Sequence, residues 1–265
     1  MSRNLSQLSD PRTIAREVAG VFEAVFPQLV PGVVAHFNRT HSYSIRDCVP
    51  VRTEVLNQSS LQRAMLFELA VVVAETFLTG QTSVNWDVCL DKACLNQQRY
   101  YDAQVPNELK AIDKEVALAT ANNLASMLWA ISDAQGNPVL MQPRIPGYRW
   151  IASGVGDFAT NTSIIEVKCS SKRFATADYR QIVIYWLLSY IEGLEKNLPF
   201  WTTGILLNPR LNFVVEFDFG DIIPLIAAQR SLIEIVETFG AIIDDSGAQE
   251  GASMGWRESN ANRNA

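Results

Sequence analysis

Residues 154–169 combine strand-forming side chains with charged side chains, which are rare in a buried strand unless they are paired or bind a ligand. The segment reads Gly-Val-Gly-Asp-Phe-Ala-Thr-Asn-Thr-Ser-Ile-Ile-Glu-Val-Lys-Cys, and its β-branched second half predicts a buried strand. A buried carboxylate or ammonium costs several kcal/mol unless it is paired or binds a metal ion. Asp157, Glu166 and Lys168 are therefore expected to form a site.

The polar residues in the middle of this segment predict a β-hairpin. Residues 159–162 form the turn, 149–158 the strand before it and 163–169 the strand after it. With this turn, Asp157 is expected to lie opposite Ile164. Because side chains alternate along a strand with a period of two, the other two charged side chains share the face of Asp157.

This predicted hairpin brings two carboxylates close enough to bind one cation. Asp157 and Glu166 become diagonal neighbours, with roughly 7–8 Å between their Cα atoms. A hard divalent ion such as Mg²⁺ takes oxygen ligands and keeps several waters, so the two carboxylates and a backbone carbonyl such as that of Val167 are expected to hold it. Lys168 then lies beside one of those waters.

The charged residues of the hairpin resemble the core motif of the PD-(D/E)XK nuclease superfamily, in which an Asp precedes Glu or Asp, any residue and Lys on the next strand. Downstream, Gln181 and Tyr185 form Gln-x-x-x-Tyr, which is similar to the helix motif of RecB-type and λ-exonuclease-like members. Residues four apart lie on one helix face, so both side chains can point at the scissile phosphate or the adjoining bases. The resemblance covers roughly residues 108–220.

The resemblance implies a fold and a reaction. The fold is α/β, with a restriction-endonuclease-like core in which helices flank a mixed central sheet. The reaction is hydrolysis of phosphodiester bonds with Mg²⁺ or Mn²⁺ held by Asp157 and Glu166. Lys168 positions or helps to deprotonate the attacking water, Gln181 orients the phosphate or the lysine, and Tyr185 stacks on a base or contacts the backbone.

The resemblance also implies the partner and leaves rival functions open. DNA is favoured over RNA as the substrate, in phage defence, restriction or repair. A catalytically silent member of the superfamily would act as a nucleic-acid-binding or assembly module. An unrelated α/β interaction protein, in which Glu166 and Lys168 pair across an edge strand, is the third interpretation.

Members of this superfamily usually supply one more acid from the helix before the core strands. Glu115, beside a stripe formed by Ile112 and Ala119, is the first candidate for this metal ligand. Glu108 on the same helix competes with it, and Glu68 and Glu75 on an earlier helix are the remaining alternatives.

The net charge of −6 argues at first against a polyanionic substrate, but the charges are unevenly distributed. Residues 144–180 carry six basic and three acidic side chains, and two of these acids belong to the expected metal site. Three basic residues near the motif are expected to bind nucleic acid: Lys172, Arg173 and Arg180.

The composition of the chain argues against several other classes of protein. The four cysteines are too few and scattered for a disulfide framework, and no cysteine follows Cys169, as a RecB-type iron–sulfur cluster would require. No nucleotide cofactor is expected. No apolar run reaches the length of a membrane span, and the first residues lack the apolar stretch of a signal peptide, so a cytoplasmic protein that does not bind membranes is expected.

The chain is expected to comprise three parts. A mostly helical extension over 1–105 caps the nuclease or binds a second copy or another protein, the nuclease core spans 106–245, and 246–265 form a flexible tail. The stretch 81–106 is expected to be irregular, with Asn107 capping the next helix. Predicted helices cover 11–26, 61–77, 108–131, 177–193 and 222–239, and further strands cover 139–142, 203–207 and 213–217.

Overall fold

A mixed six-stranded sheet with helices on both faces organises the computed structural model, which describes residues 10–17, 20–98, 106 and 108–245. The spatial order of its strands is β1-β8-β7-β6-β5-β2, and β3 and β4 form a separate two-stranded sheet. The strands are β1 (Ser42–Tyr43), β2 (Leu140–Met141), β3 (Arg144–Ile145), β4 (Gly154–Val155), β5 (Phe158–Ala159), β6 (Ser163–Val167), β7 (Thr203–Asn208) and β8 (Phe213–Asp218). The predicted α/β class, with helices flanking a mixed central sheet, is confirmed.

The helices account for most of the remaining described chain. They are α1 (Pro11–Glu17), α2 (Val21–Val25), α3 (Pro31–Thr40), α4 (Thr53–Leu56), α5 (Arg63–Leu78), α6 (Trp86–Gln97), α7 (Ala111–Gln135), α8 (Thr176–Lys196), α9 (Phe219–Ile226) and α10 (232–245). None of these helices is long and apolar enough to span a membrane.

The central strand β6 is buried on both faces and determines where the site lies. It runs parallel to β7 and antiparallel to β5. A parallel pair needs a long crossover, which α8 supplies between β6 and β7. Ile164 packs in the cluster that contains α8, whereas Ile165 packs on the other face with α5 and α7. Even-numbered residues of β6 therefore face α8.

Residues before the predicted boundary near 105 pack against residues that follow it. Strand β1 pairs with β8 at one edge of the central sheet. Helices α1 to α3 share an apolar core with α8, and α5 and α6 share one with α7. The described residues up to 98 thus contribute to both layers that cover the sheet. The predicted tail over 246–265 lies outside the described residues.

Several helix predictions differ from the structure at identifiable residues. The predicted helix 11–26 is interrupted at Gly20, whose φ of +83° is left-handed. The stretch expected to be irregular contains α6, whose first turn is capped by the Asn85 side chain. The predicted last helix is divided into α9 and α10, because Ser231 and Glu234 form the hydrogen bonds that begin α10. The predicted cap Asn107 lies outside the described residues.

Candidate active site

The hairpin between β5 and β6 has a register that differs by two residues from the sequence prediction. Phe158 pairs with Ile165, and the amide of Thr160 donates to the carbonyl of Ser163 at 2.8 Å. Continuing this register places Asp157 opposite Glu166 and not opposite Ile164. The turn is therefore one residue later than expected, at 161–162. Because a shift of two residues preserves the side-chain face, the charged residues still project together.

The predicted strand 149–158 is also divided. Residues 154–155 form β4, which pairs with β3 in the small sheet, and 158–159 form β5 in the main sheet. Gly156 and Asp157 lie between them, and a Cβ on Gly156 would meet the Ile145 side chain at 3.1 Å. This close packing lets the chain pass from one sheet to the other directly before Asp157.

Three of the predicted site residues form a closed set of hydrogen bonds on the α8 face of the sheet. Lys168 Nζ donates to Glu166 Oε1 at 2.7 Å and to Gln181 Oε1 at 3.0 Å. Gln181 Nε2 donates to the same Glu166 oxygen at 2.7 Å. Glu166 and Gln181 are buried, whereas the Lys168 side chain keeps 21% of its surface exposed. The ammonium thus lies where the buried carboxylate meets solvent.

Tyr185 lies one helical turn beyond Gln181 and joins the same network. Its hydroxyl accepts hydrogen bonds from Gln181 Nε2 at 2.9 Å and from Arg12 Nε at 3.0 Å. The ring is buried, and burial, followed by the charge of Glu166, raises the pKa of Tyr185 above its ordinary value. The hydroxyl therefore stays protonated at neutral pH.

Arg12, which was not predicted as a site residue, is the second cation of the cluster. Its Nη2 donates to the Val155 carbonyl at 3.1 Å and lies 3.4 Å from Asp157 Oδ1. Burial lowers the pKa of Arg12, but Tyr185, Asp157 and Glu166 more than offset this, so the guanidinium remains charged. No motif signals its role, because 145 residues separate it from Asp157.

Two carboxylate oxygens in the cluster have either a weak hydrogen bond or none among the described residues. Glu166 Oε2 is buried and has no hydrogen-bond partner among the described residues. Asp157 Oδ2 accepts from the Val167 amide at 2.9 Å, but Oδ1 has only the long contact with Arg12. A buried oxygen without a partner is costly, and hard divalent ions take such oxygens as ligands. Asp157 and Glu166 therefore fit Mg²⁺ or Mn²⁺.

The electrostatics of the two carboxylates agree with this fit. Burial, and then repulsion from Glu166, raises the pKa of Asp157 above its ordinary value. The charges of Arg12 and Lys168 and the Val167 amide oppose this rise without cancelling it. A dication at this point would favour the ionised form of Asp157.

A third acidic ligand is not brought into the cluster. Within the described residues, no group of three or more His, Cys, Asp or Glu side chains is arranged to hold a metal ion. Glu115 was expected to face the sheet, but it is exposed, because the buried stripe of α7 runs through Asp113, Val116 and Ala117. Burial, with a smaller contribution from the charge of Asp157, raises the pKa of Glu68, one of the alternative candidates.

The three basic residues expected to bind nucleic acid have different surroundings. Lys172 and Arg173 are exposed on the loop between β6 and α8, and the Arg173 guanidinium lies 5.3 Å from the Phe213 ring centroid. Arg180 lies 4.8 Å from the Phe22 ring centroid and 3.4 Å from Glu23. Arg180 is therefore engaged with α2, whereas the other two face solvent.

No match to a protein-family model, a curated protein or a solved structure is found for this chain. The likeness to a nuclease superfamily consequently depends on the motif residues and their arrangement.

Proposed function

We propose that this protein is a divalent-metal-dependent nuclease with a restriction-endonuclease-like core of the PD-(D/E)XK type. The observation that carries the proposal is the buried Glu166 Oε2, which lacks a partner in a cluster with Asp157, Lys168 and Gln181. A purely structural ion pair would be expected to satisfy both carboxylate oxygens, since an unsatisfied buried acceptor costs about 1–3 kcal/mol.

Each residue of the cluster has a distinct part in the proposed reaction. Asp157 and Glu166 would hold Mg²⁺ or Mn²⁺, with the carbonyl of Val167 as a further ligand. When bound there, the ion would supply Lewis-acid chemistry, namely a lower pKa for a bound water and a positive charge beside the phosphate. Lys168 positions that water, and its charge also stabilises the phosphate in the transition state.

The helix α8 keeps the lysine in place and faces the substrate. Gln181 bonds both the ammonium of Lys168 and the carboxylate of Glu166, so the lysine cannot rotate freely. The hydroxyl of Tyr185, which is 1% exposed, accepts hydrogen bonds from Gln181 and Arg12 and so positions these two side chains. Lys172 and Arg173, on the loop just before α8, contact the substrate backbone.

A cleavage assay with two variants tests the proposal. End-labelled single- and double-stranded DNA and RNA are incubated with the protein in Mg²⁺, Mn²⁺ or EDTA. The wild type is expected to cut at least one substrate, DNA first, in a divalent ion and none in EDTA. Asp157→Ala and Lys168→Ala are expected to cut at least about 100-fold more slowly, since each removes charge stabilisation in the transition state.

Lys196→Ala is the matched control for Lys168→Ala. Lys196 also lies 2.7 Å from a glutamate oxygen, that of Glu192, but its side chain is more than half exposed. Its removal is expected to leave the cleavage rate unchanged. The nuclease proposal fails if the wild type cuts no substrate in either ion, or if the two site variants cut as fast as Lys196→Ala.

A catalytically silent, nucleic-acid-binding module is the second candidate, and the position of Arg12 favours it. The guanidinium already supplies a positive charge to Asp157, as a metal ion would. For a silent module, the expected result is nucleic-acid binding without cleavage and without any rise of the melting temperature in Mn²⁺. A nuclease is expected to show both the rise and the cleavage.

A further inference from the structure

Arg12 reaches the candidate site from the opposite end of the chain and contacts both of its elements. It bonds Tyr185 of α8 through Nε, and it bonds the Val155 carbonyl and approaches Asp157 through Nη2. The last contact, at 3.4 Å, is long for a charge-assisted hydrogen bond, which is normally about 2.7–2.9 Å. The guanidinium is thus fixed firmly by two neutral oxygens and only weakly by the carboxylate.

The start of α1 is built to hold this arginine in place. The side chain of Asp10 accepts from the Arg12 amide at 2.7 Å, which fixes the first turn of the helix. The ring of Pro11 packs against Gly154, where an added Cβ would lie 2.9 Å from Pro11 Cδ. Ile14 is fully buried one turn later. The backbone of α1 therefore cannot move away from β4 without losing these contacts.

The guanidinium keeps donors that form no hydrogen bond within the part of the chain that the structure describes. Of its three nitrogens, Nε and Nη2 form the hydrogen bonds above, and Nη1 forms none with the described residues. The side chain is 33% exposed. A planar guanidinium with a free amino group matches a phosphate, which accepts two parallel hydrogen bonds from it.

The charges of the cluster point to the same ligand. Asp157 and Glu166 are balanced by Arg12 and Lys168, so the site is close to neutral as the structure shows it. A dication on the two carboxylates would leave a local excess of positive charge, and it would compete with Arg12 for Asp157 Oδ1. An anionic group is then needed beside Arg12.

We propose that Arg12 is a phosphate-binding residue of this site, which α1 supplies to hold a backbone phosphate of the nucleic-acid strand. The proposal rests on the proposed function for the identity of the ligand, although it does not require that the strand be cut. Arg12 binds the phosphate through Nη1 and Nη2, while Nε stays on Tyr185.

Equilibrium binding of a nucleic acid tests the proposal without cleavage. Fluorescein-labelled single-stranded DNA is titrated with wild type and Arg12→Ala, in EDTA and in Ca²⁺, at several salt concentrations. Affinity is expected to fall about tenfold in Ca²⁺. It is expected to fall only about twofold to threefold in EDTA, where Asp157 still competes for the arginine. The slope of log affinity against log salt concentration is expected to fall by about 0.7, as for one lost phosphate contact on a single strand.

Three further variants separate this role from a structural one. Arg12→Lys keeps one charge, so the slope is expected to stay near the wild-type value while affinity falls. Gly154→Ala leaves Arg12 intact but displaces Pro11, so an intermediate loss of affinity is expected. Arg46→Ala is the control, because Arg46 is exposed on the loop after β1, at the opposite edge of the sheet. If Arg12→Ala does not fold, the lysine and Gly154 variants decide the question.

The possible results distinguish this proposal from the nuclease proposal. Wild-type affinity and slope in Arg12→Ala, an equal loss in Arg46→Ala, or no DNA binding by the wild type would overturn the role of Arg12. If the wild type cuts DNA and Arg12→Ala binds it normally, only the role of Arg12 fails. If the wild type binds DNA through Arg12 but cuts nothing in any ion, the nuclease proposal alone fails.

Discussion

Two aspartates on opposite faces of the central sheet, Asp113 and Asp157, differ in how completely their carboxylates are hydrogen-bonded. Asp113, at the start of α7, is fully buried and accepts from the Ser59 hydroxyl, from the amide and hydroxyl of Ser60, and from the Lys110 amide. Asp157 accepts from one amide and has one long contact with a guanidinium.

The difference appears in the proton affinities of the two side chains. Burial raises the pKa of Asp113, but its hydrogen bonds outweigh burial and the pKa lies below the ordinary value. At Asp157 burial and the charge of Glu166 prevail, and the pKa lies above the ordinary value. The Asp113 carboxylate is therefore fully hydrogen-bonded, whereas the partly exposed Asp157 carboxylate keeps acceptor capacity that the described residues do not use.

Cleavage activity should separate the two aspartates most strongly. Asp157→Asn is expected to lower the rate of DNA cleavage in Mn²⁺ by about 1,000-fold, since a neutral amide is a poor ligand for a divalent ion. Asp113→Asn is expected to leave the rate per folded molecule within about threefold, because Asp113 faces away from the cluster. Initial rates, corrected for the folded fraction from circular dichroism, measure both. Equal losses of cleavage rate in the two variants would show that Asp157 has no larger role in cleavage than Asp113.

Unfolding free energies should reverse this ranking. Asp113→Asn is expected to lose about 2–3 kcal/mol, because its amide group must face at least one of the four donors. Asp157→Asn in EDTA at pH 8 is expected to be as stable as the wild type, or more stable by up to about 1 kcal/mol, since its oxygen still accepts from the Val167 amide. Urea denaturation measures both values. A larger loss at Asp157 than at Asp113 would contradict the assignment of structural and functional roles.

The stability of the protein should also depend on pH through these two aspartates. This effect should be smaller than the effects above, and its sign should be opposite for Asp113 and Asp157. The folded-state pKa of Asp113 is depressed, so its stabilising contribution is present above about pH 4 and is lost as the pH falls further. The folded-state pKa of Asp157 is raised, so the folded state binds the proton more tightly, and stability is lost as the pH rises above the ordinary value of 3.8.

Urea denaturation in EDTA between about pH 3 and pH 8 tests these signs. The advantage of Asp157→Asn over the wild type is expected to grow as the pH rises. The disadvantage of Asp113→Asn is expected to shrink as the pH falls below about 4. An advantage of Asp157→Asn that is independent of pH would show that its carboxylate is not strained by burial.

The sequence predicted which face of the sheet carries the candidate site residues better than it predicted their register. Side chains alternate along a strand with a period of two, so a change of two residues in the pairing leaves them on the same face. The shared face was therefore predicted correctly, although the turn lies one residue later than expected. The position of the turn depends on local contacts such as the hydrogen bond between Thr160 and Ser163. The polar sequence of residues 159–162 does not show which of them form such contacts. The contact of Gln181 with Tyr185 followed from their spacing of four on a helix.

Contacts between residues far apart in the sequence could not be predicted from local patterns. Arg12 lies in α1, and no local pattern relates it to a hairpin that begins more than a hundred residues later. Asp113 is satisfied by two serines that precede it by more than fifty residues. Glu115 was placed on the wrong side of α7 because the apolar residues of that helix fit more than one stripe, and tertiary packing selects one of them.

The hydrogen bond between Arg12 and Tyr185 joins residues 173 positions apart, and contacts so distant in sequence are expected to form late in folding. A loop of that length closes at a greater entropic cost than the β5–β6 hairpin, which closes through local contacts. The acidic hairpin and α8 are therefore expected to associate before α1 docks against them. A chain in which α1 has not yet docked would carry two carboxylates with only Lys168 to balance them among the described residues, so docking of α1 is expected to restore the charge balance of the candidate site.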